Sequence, residues 1–213
     1  MKALLMKDLM ALKSSLKLFL AATGVYLLLF SKDSPETVAM VLTLMTFFLN
    51  LNSLSYDEKA NWNAFALTLP LSRKKLAASK YLLALVLFGA ALALALALLL
   101  GLGLGLAFPQ LDVAEYCVAT LAMMGALMLL QTLVLPVSLK WGTEKGRLML
   151  LIFFGLGALA LMFGGSQGQQ WLEELFSRPA LLSVLAWSAP GVVAAAFGAS
   201  YLISAGIMER KEF

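Results

Sequence analysis

The chain has 213 residues, 62% of them hydrophobic and 13% charged, with a formal charge of +4, no histidine and a single cysteine; its mean hydropathy is +0.90. A soluble domain averages about 45–50% apolar residues. Here the apolar residues fall in runs of about 18 or more rather than at amphipathic spacing, which excludes a water-soluble globule and leaves one membrane-embedded unit spanning 1–213.

At the N-terminus, Leu5, Leu9, Leu12 and Leu16 recur at helical spacing, with Lys2, Lys13 and Lys17 largely off that stripe. Residues 1–15 therefore read as an amphipathic interfacial helix, and membrane anchoring alone accounts for it. The Lys-bearing stretch is too long for a signal-peptide n-region and no A-x-A-like site follows, so the first span is expected to be retained.

Six apolar segments follow: Leu16 to Phe30, Thr37 to Leu54, Tyr81 to Phe108, Val113 to Leu139, Leu148 to Phe163, and one within Leu181 to Met208. Their flanks alternate in charge. The first, third, fifth and seventh polar segments hold 14 of the 16 basic residues, and the other three hold only Lys32 and Arg178 against Asp33, Glu36, Asp112, Glu115, Glu173 and Glu174. The Lys/Arg-rich side of a membrane protein faces the cytoplasm. The predicted fold is all-α and polytopic, with six transmembrane helices and both termini cytoplasmic.

Between the second and third segments, Ser55 and Glu58 have the spacing of a capping box, so a helix is expected to start at Ser55, carry Trp62 and Phe65 on one side and end at Pro70. Ser72 then caps a second helix through Arg73, Lys74 and Lys75. A capped aromatic helix between two spans is a lever: pushing it moves both. The alternative is a surface helix whose aromatics anchor at the headgroups.

Further along, Gly101, Gly103 and Gly105 offer a G-x-x-x-G register for close helix approach, or belong to low-complexity lipid-facing helix. Asn50, Asn52 and Gln131 are uncharged polar residues within spans, more suited to helix–helix hydrogen bonds than to substrate. Ionisable residues deep in a span mark functional sites, and almost none are evident. Residues 164–189 are expected to form an outer helical or re-entrant element: Trp171, Leu172, Leu175 and Phe176 share a face, Leu181 to Trp187 dips in, and Ser188-Ala189-Pro190-Gly191 turns the chain into the last span. A plain loop with one long proline-bearing span is the alternative.

Chemistry is sparse. Without histidine, His-dependent triads, relays and metal sites are excluded, and the absence of Gly-Lys removes the phosphate-cradling P-loop. Cys117 has no partner for an internal disulfide. The basic residues lie in short loops rather than on one solvated face, which argues against nucleic acid. No catalytic, cofactor or metal site is expected.

The pattern Tyr56-Asp57-Glu58-Lys59, Trp62, Phe65, Thr68-Leu69-Pro70-Leu71-Ser72-Arg73 and Ser79-Lys80-Tyr81 resembles the signature of small permeases of type-2 ABC exporters. Within that group it is similar to the compact six-span permeases that include phenol-soluble modulin exporters, and the closing Glu209-Arg210-Lys211-Glu212-Phe213 resembles their tails. The resemblance implies a multi-pass protein of a bacterial plasma membrane that pairs with a second permease, identical or related, and with two copies of a separate ABC ATPase subunit. ATP and Mg belong to that partner. It also implies that the 55–80 loop, through Tyr56, Asp57, Glu58, Trp62, Phe65 and Arg73, couples ATPase closure to export. The lack of buried charge suits an amphipathic or hydrophobic substrate, with peptide favoured and lipid or drug open. A non-transporting immunity or assembly factor, and an ATP-independent carrier, remain the alternatives.

Overall fold

A computed structural model describes residues 1–30, 35–104, 113–163, 165 and 179–211, and these form helices and short turns. In chain order these are α1 (Lys2–Ala11), α2 (Lys13–Phe30), α3 (Pro35–Lys59), α4 (Trp62–Ala66), α5 (Arg73–Leu104), α6 (Val113–Trp141), α7 (Thr143–Phe163) and α8 (Pro179–Arg210). Each predicted apolar segment has a helix of its own; residues 105–108 of the third lie outside the described residues. Among the described residues, four helices contain stretches long and apolar enough to cross a membrane: Ala39–Lys59, Arg73–Leu98, Tyr116–Trp141 and Ser188–Arg210. At 1.5 Å per residue, α5 and α8, each of 32 residues, are about 48 Å long and exceed a hydrocarbon core of about 30 Å.

Helix α6 sits centrally, packed against α8, α3 and α7, while α3 packs against α5 and α2. The larger core joins Phe47, Leu51, Phe88, Val134, Leu135 and Met208 from α3, α5, α6 and α8; a second joins Leu12, Phe19, Leu42, Leu83 and Tyr116 on the α2 side. Residues 151–157 of α7 are all exposed. Exposure of Leu151, Ile152, Phe153, Phe154 and Leu156 would be unsustainable in water and is ordinary against lipid tails.

Helix α6 contains Pro136, which has no N–H for the carbonyl of Thr132 one turn earlier. Helix α8 supplies the donor: Ser200 Oγ donates to Thr132 O at 2.5 Å. With its proton committed there, Ser200 accepts from Tyr81 O–H at 2.6 Å, and Tyr81 accepts from Ser204 O–H at 2.7 Å. One directed chain, Ser204 to Tyr81 to Ser200 to Thr132, thus fastens α5, α6 and α8. A neighbour's hydroxyl is the standard way a membrane helix tolerates proline.

Two expectations are corrected. Ser55 does not open a helix: α3 runs unbroken to Lys59, Ser55 Oγ donates back to Leu51 O at 3.1 Å, and Glu58 turns to another helix. The S-x-x-E spacing was satisfied within a helix already in progress, where a serine bonds its own preceding turn instead. Nor does the chain turn at Ser188 to Gly191, because α8 continues through Pro190. Residues 164 and 166–178, including Trp171, Leu172, Glu173, Glu174, Leu175 and Phe176, lie outside the described residues.

Candidate functional site: the cation-rich platform and its ion cluster

The four cation-bearing segments meet at one end of the bundle. After Lys59 the chain reverses at Asn61, whose φ of 48° is left-handed, a conformation that asparagine accepts better than most residues. It then forms the five-residue α4. Trp62 and Phe65 pack with ring centroids 5.4 Å apart, as their spacing predicted. Phe65 is 55% exposed and Ala66 fully buried, so α4 lies on the bundle with one aromatic directed outward. Thr68 Oγ1 caps Phe65 O at 2.8 Å, and α5 begins at Arg73, immediately after Ser72.

Directly beneath is a cluster of four charges. Lys80 Nζ donates to Asp8 Oδ1 at 2.8 Å and to Ser53 Oγ at 3.0 Å, and forms an ion pair with Asp57 Oδ2 at 2.6 Å. Lys7 Nζ reaches Asp57 Oδ1 at 2.5 Å and Asp8 Oδ1 at 2.8 Å, and sits 4.4 Å from the Trp62 ring centroid. Asp8, Asp57 and Lys80 are buried and Lys7 half-buried. Two carboxylates and two ammoniums balance, which is the condition for holding charge away from water. The cluster ties α1 to the end of α3 and the start of α5, and the cation–π contact extends it to α4.

Around this centre the remaining loops are tied in. Glu58 Oε2 accepts from Thr143 N at 2.8 Å and Thr143 Oγ1 at 2.6 Å, placing a carboxylate at the first turn of α7, where the helix dipole favours it. The intervening Gly142 has φ +94°, a conformation that strains an L side chain, and a Cβ there would lie 2.6 Å from Glu58 Oε1 and displace that carboxylate. Arg73 donates to Glu209 O at 2.9 Å and Lys211 O at 2.7 Å, closing the end of α8. Arg147 donates to Asn52 Oδ1 at 3.2 Å and Ser55 Oγ at 3.1 Å. The exposed pair Lys74–Glu209, at 3.1 Å, adds little. A cavity of about 60 Å³ lies behind Trp62, walled by Asp57, Lys80, Ser138, Gly142 and Met208.

Of the residues expected at a coupling surface, Tyr56, Glu58 and Phe65 are exposed, Trp62 and Arg73 are half-buried and Asp57 is buried, Tyr56 OH being 2.8 Å from Ser15 Oγ. Asp57, Glu58 and Arg73 are engaged within the chain. Asn50 and Gln131 are fully buried, but neither amide has a hydrogen-bond partner among the described residues; Asn52 pairs with Arg147. Gly101 falls within α5, and Gly105 lies outside the described residues. Asp8 and Lys80 were missed as buried charge. Asp8 is the sole acid before Asp33, amid lysines, and Lys80 directly precedes the apolar run from Tyr81; together they were the available signal. The N-terminal leucine stripe packs onto the bundle, and Asp8 points inward beside it.

Membrane-length apolar helices, with polar ties gathered at one end, define an integral membrane helical bundle. The chain belongs to a particular family of that class, the ABC-2 family transporter proteins, whose model matches residues 3–209. No curated protein and no solved structure matches it. Family membership makes it a membrane component of an ABC transporter, a kind of subunit that associates with an ABC ATPase and is generally not itself catalytic.

Proposed function

We propose that the chain is the permease subunit of an ATP-driven exporter, coupled to a separate ATPase through residues 55–80, that moves an amphipathic or hydrophobic substrate out of a bacterial cell. Peptide is favoured among substrates. In this reading α2 and α7 supply two further spans beside α3, α5, α6 and α8, giving six with both termini inside, and the convergence of the four cation-rich segments on one end of the bundle supports an even number of crossings. The working unit is two permeases, identical or related, with two ATPase copies that bind ATP and Mg.

The observation that carries the coupling role is the placement of α4. Phe65 faces out, while Trp62 touches Lys7 and, through it, Asp57, Asp8 and Lys80. A push on Phe65 therefore reaches α1, α3 and α5 through contacts of fixed geometry, and the cavity behind Trp62 gives the ring room to yield. Tyr56 and Phe65 form the contact surface, and Trp62, Asp57, Glu58 and Arg73 transmit to the spans. The test is copurification with the ATPase encoded beside it, followed by Phe65→Ala. The variant should insert and fold as the parent does while losing most substrate-stimulated ATP hydrolysis. Full stimulation in that variant, or failure of any ATPase to copurify, would remove the coupling reading.

A further inference from the structure

Helices α3 and α6 pack together and run in the same direction, since Glu58 near the end of α3 bonds Thr143 just beyond the end of α6. Asp57 on α3 and Ser138 on α6 both line the cavity of about 60 Å³ behind Trp62, so they stand at one level. Seven residues earlier on the same two helices come Asn50 and Gln131. Seven residues make two turns less about 20°, so Asn50 shares a face with Asp57 and Gln131 with Ser138, each about 10.5 Å deeper in the bundle. The two carboxamides therefore form a second polar level beneath the first, and Leu54, Val134 and Leu135, all buried, separate the levels.

Five side-chain atoms along this seam have no hydrogen-bond partner among the described residues: both polar atoms of Asn50, both of Gln131, and Ser138 Oγ. Asn50 and Gln131 are fully buried and Ser138 is 4% exposed. A serine within a helix can donate to the carbonyl one turn back, as Ser55 does, and Ser138 does not. Orphaned polar groups at such depth are costly, and a small polar guest removes the cost.

We propose that the cavity and the seam beneath it take up water, which binds Ser138 at the upper level and, when α3 and α6 part by about the width of one molecule, Asn50 and Gln131 at the lower. Size, charge and bonding each select this occupant. A volume of about 60 Å³ holds a few water molecules and little more. The charged residues on the cavity wall are Asp57, Glu58, Lys80 and Lys211, two of each sign, so the wall does not call for an ion. The orphaned groups include donors and acceptors together, and water satisfies both. The seam belongs to the bundle itself, so it stands whether or not the chain couples to an ATPase.

The experiment is X-ray radiolytic footprinting of the full chain in detergent, in which hydroxyl radicals made from bound water oxidise the side chains beside it. Met208 is 1% exposed and lines the cavity. After correction for intrinsic reactivity it should be oxidised at a rate near that of the exposed Met6 and Met10, while Phe88, as deeply buried but not on the cavity wall, should stay unlabelled. Val134→Cys puts a thiol between the two levels at a position with no exposure, and that thiol should be oxidised as well. Adding Asn50→Leu and Gln131→Leu should slow its oxidation about 25-fold, because each carboxamide's hydrogen bond to water is worth about a factor of five. If the Val134→Cys variants do not fold, Met208 in the parent chain decides alone. Met208 as slow as Phe88 would overturn the proposal, since the cavity would then be dry. So would an introduced thiol that stays unlabelled, or one labelled equally fast without the two carboxamides.

Discussion

Replacing Lys80 with alanine tests the ion cluster at its most exposed weakness, which is its charge balance. Lys80 is 5% exposed, donates hydrogen bonds to Asp8 and Ser53, and pairs with the Asp57 carboxylate. Its removal leaves the buried carboxylates of Asp8 and Asp57 with Lys7 as their remaining ion-pair partner. Breaking a buried ionic set by deleting one partner costs about 3–5 kcal/mol, and for a chain of this size each kcal/mol moves the melting point by about 2–4 °C. A fall of roughly 6–20 °C is therefore expected in thermal unfolding of the full chain in detergent, followed by tryptophan fluorescence, since Trp62 borders the cluster. Asp8→Asn combined with Lys80→Met removes one charge of each sign and leaves the Lys7–Asp57 pair intact, so it should recover most of that fall. A melting point within about 2 °C of the parent for Lys80→Ala, or a double variant as unstable as the single one, would refute the claim that charge balance holds α1, α3 and α5 together.

Gly142→Ala should lower stability by about 1–2 kcal/mol, read in the same melt, because it combines a positive φ with a collision at Glu58. Ser200→Ala strands the Thr132 carbonyl and should cost about 1–2 kcal/mol. In a Pro136→Ala background, where residue 136 regains its own N–H, the same change should cost measurably less, and additivity of the two would disprove the compensation. Tyr81→Phe, which interrupts the hydroxyl chain while keeping the ring against Phe197, should cost about 1 kcal/mol and leave insertion unchanged.

How far sequence reading reaches is visible in particular residues. The six apolar runs needed no tertiary information, because a helix in lipid satisfies its own backbone wherever the run is long enough. Trp62 and Phe65 were placed together for the same reason: three residues apart on one short helix. Ser55 and Glu58 failed because the capping-box spacing is local, whereas the length of α3 is set by packing against α5 and α6 and the Glu58 partner lies on Thr143, 85 residues away. Asp8 and Lys80, 72 residues apart, each read as ordinary inner-side charges. Only the docking of α1 against α5 makes them a buried pair. The role of Pro136 was equally hidden, since its compensation comes from Ser200 on another helix.

The knot of ties at the cation-rich end has a meaning for the order of assembly. Its members come from Lys7 on α1 and from Glu209 and Lys211 at the end of α8, with Asp57, Arg73, Lys80, Thr143 and Arg147 between them in the chain. Asp8 emerges some seventy residues before its main counter-ion, and Arg73 emerges long before the carbonyls that it caps. The knot can close only when α8 has packed onto the bundle. Until then the Arg73 guanidinium lacks the carbonyls of Glu209 and Lys211, so a bundle without α8 differs chemically at this end from one that holds it.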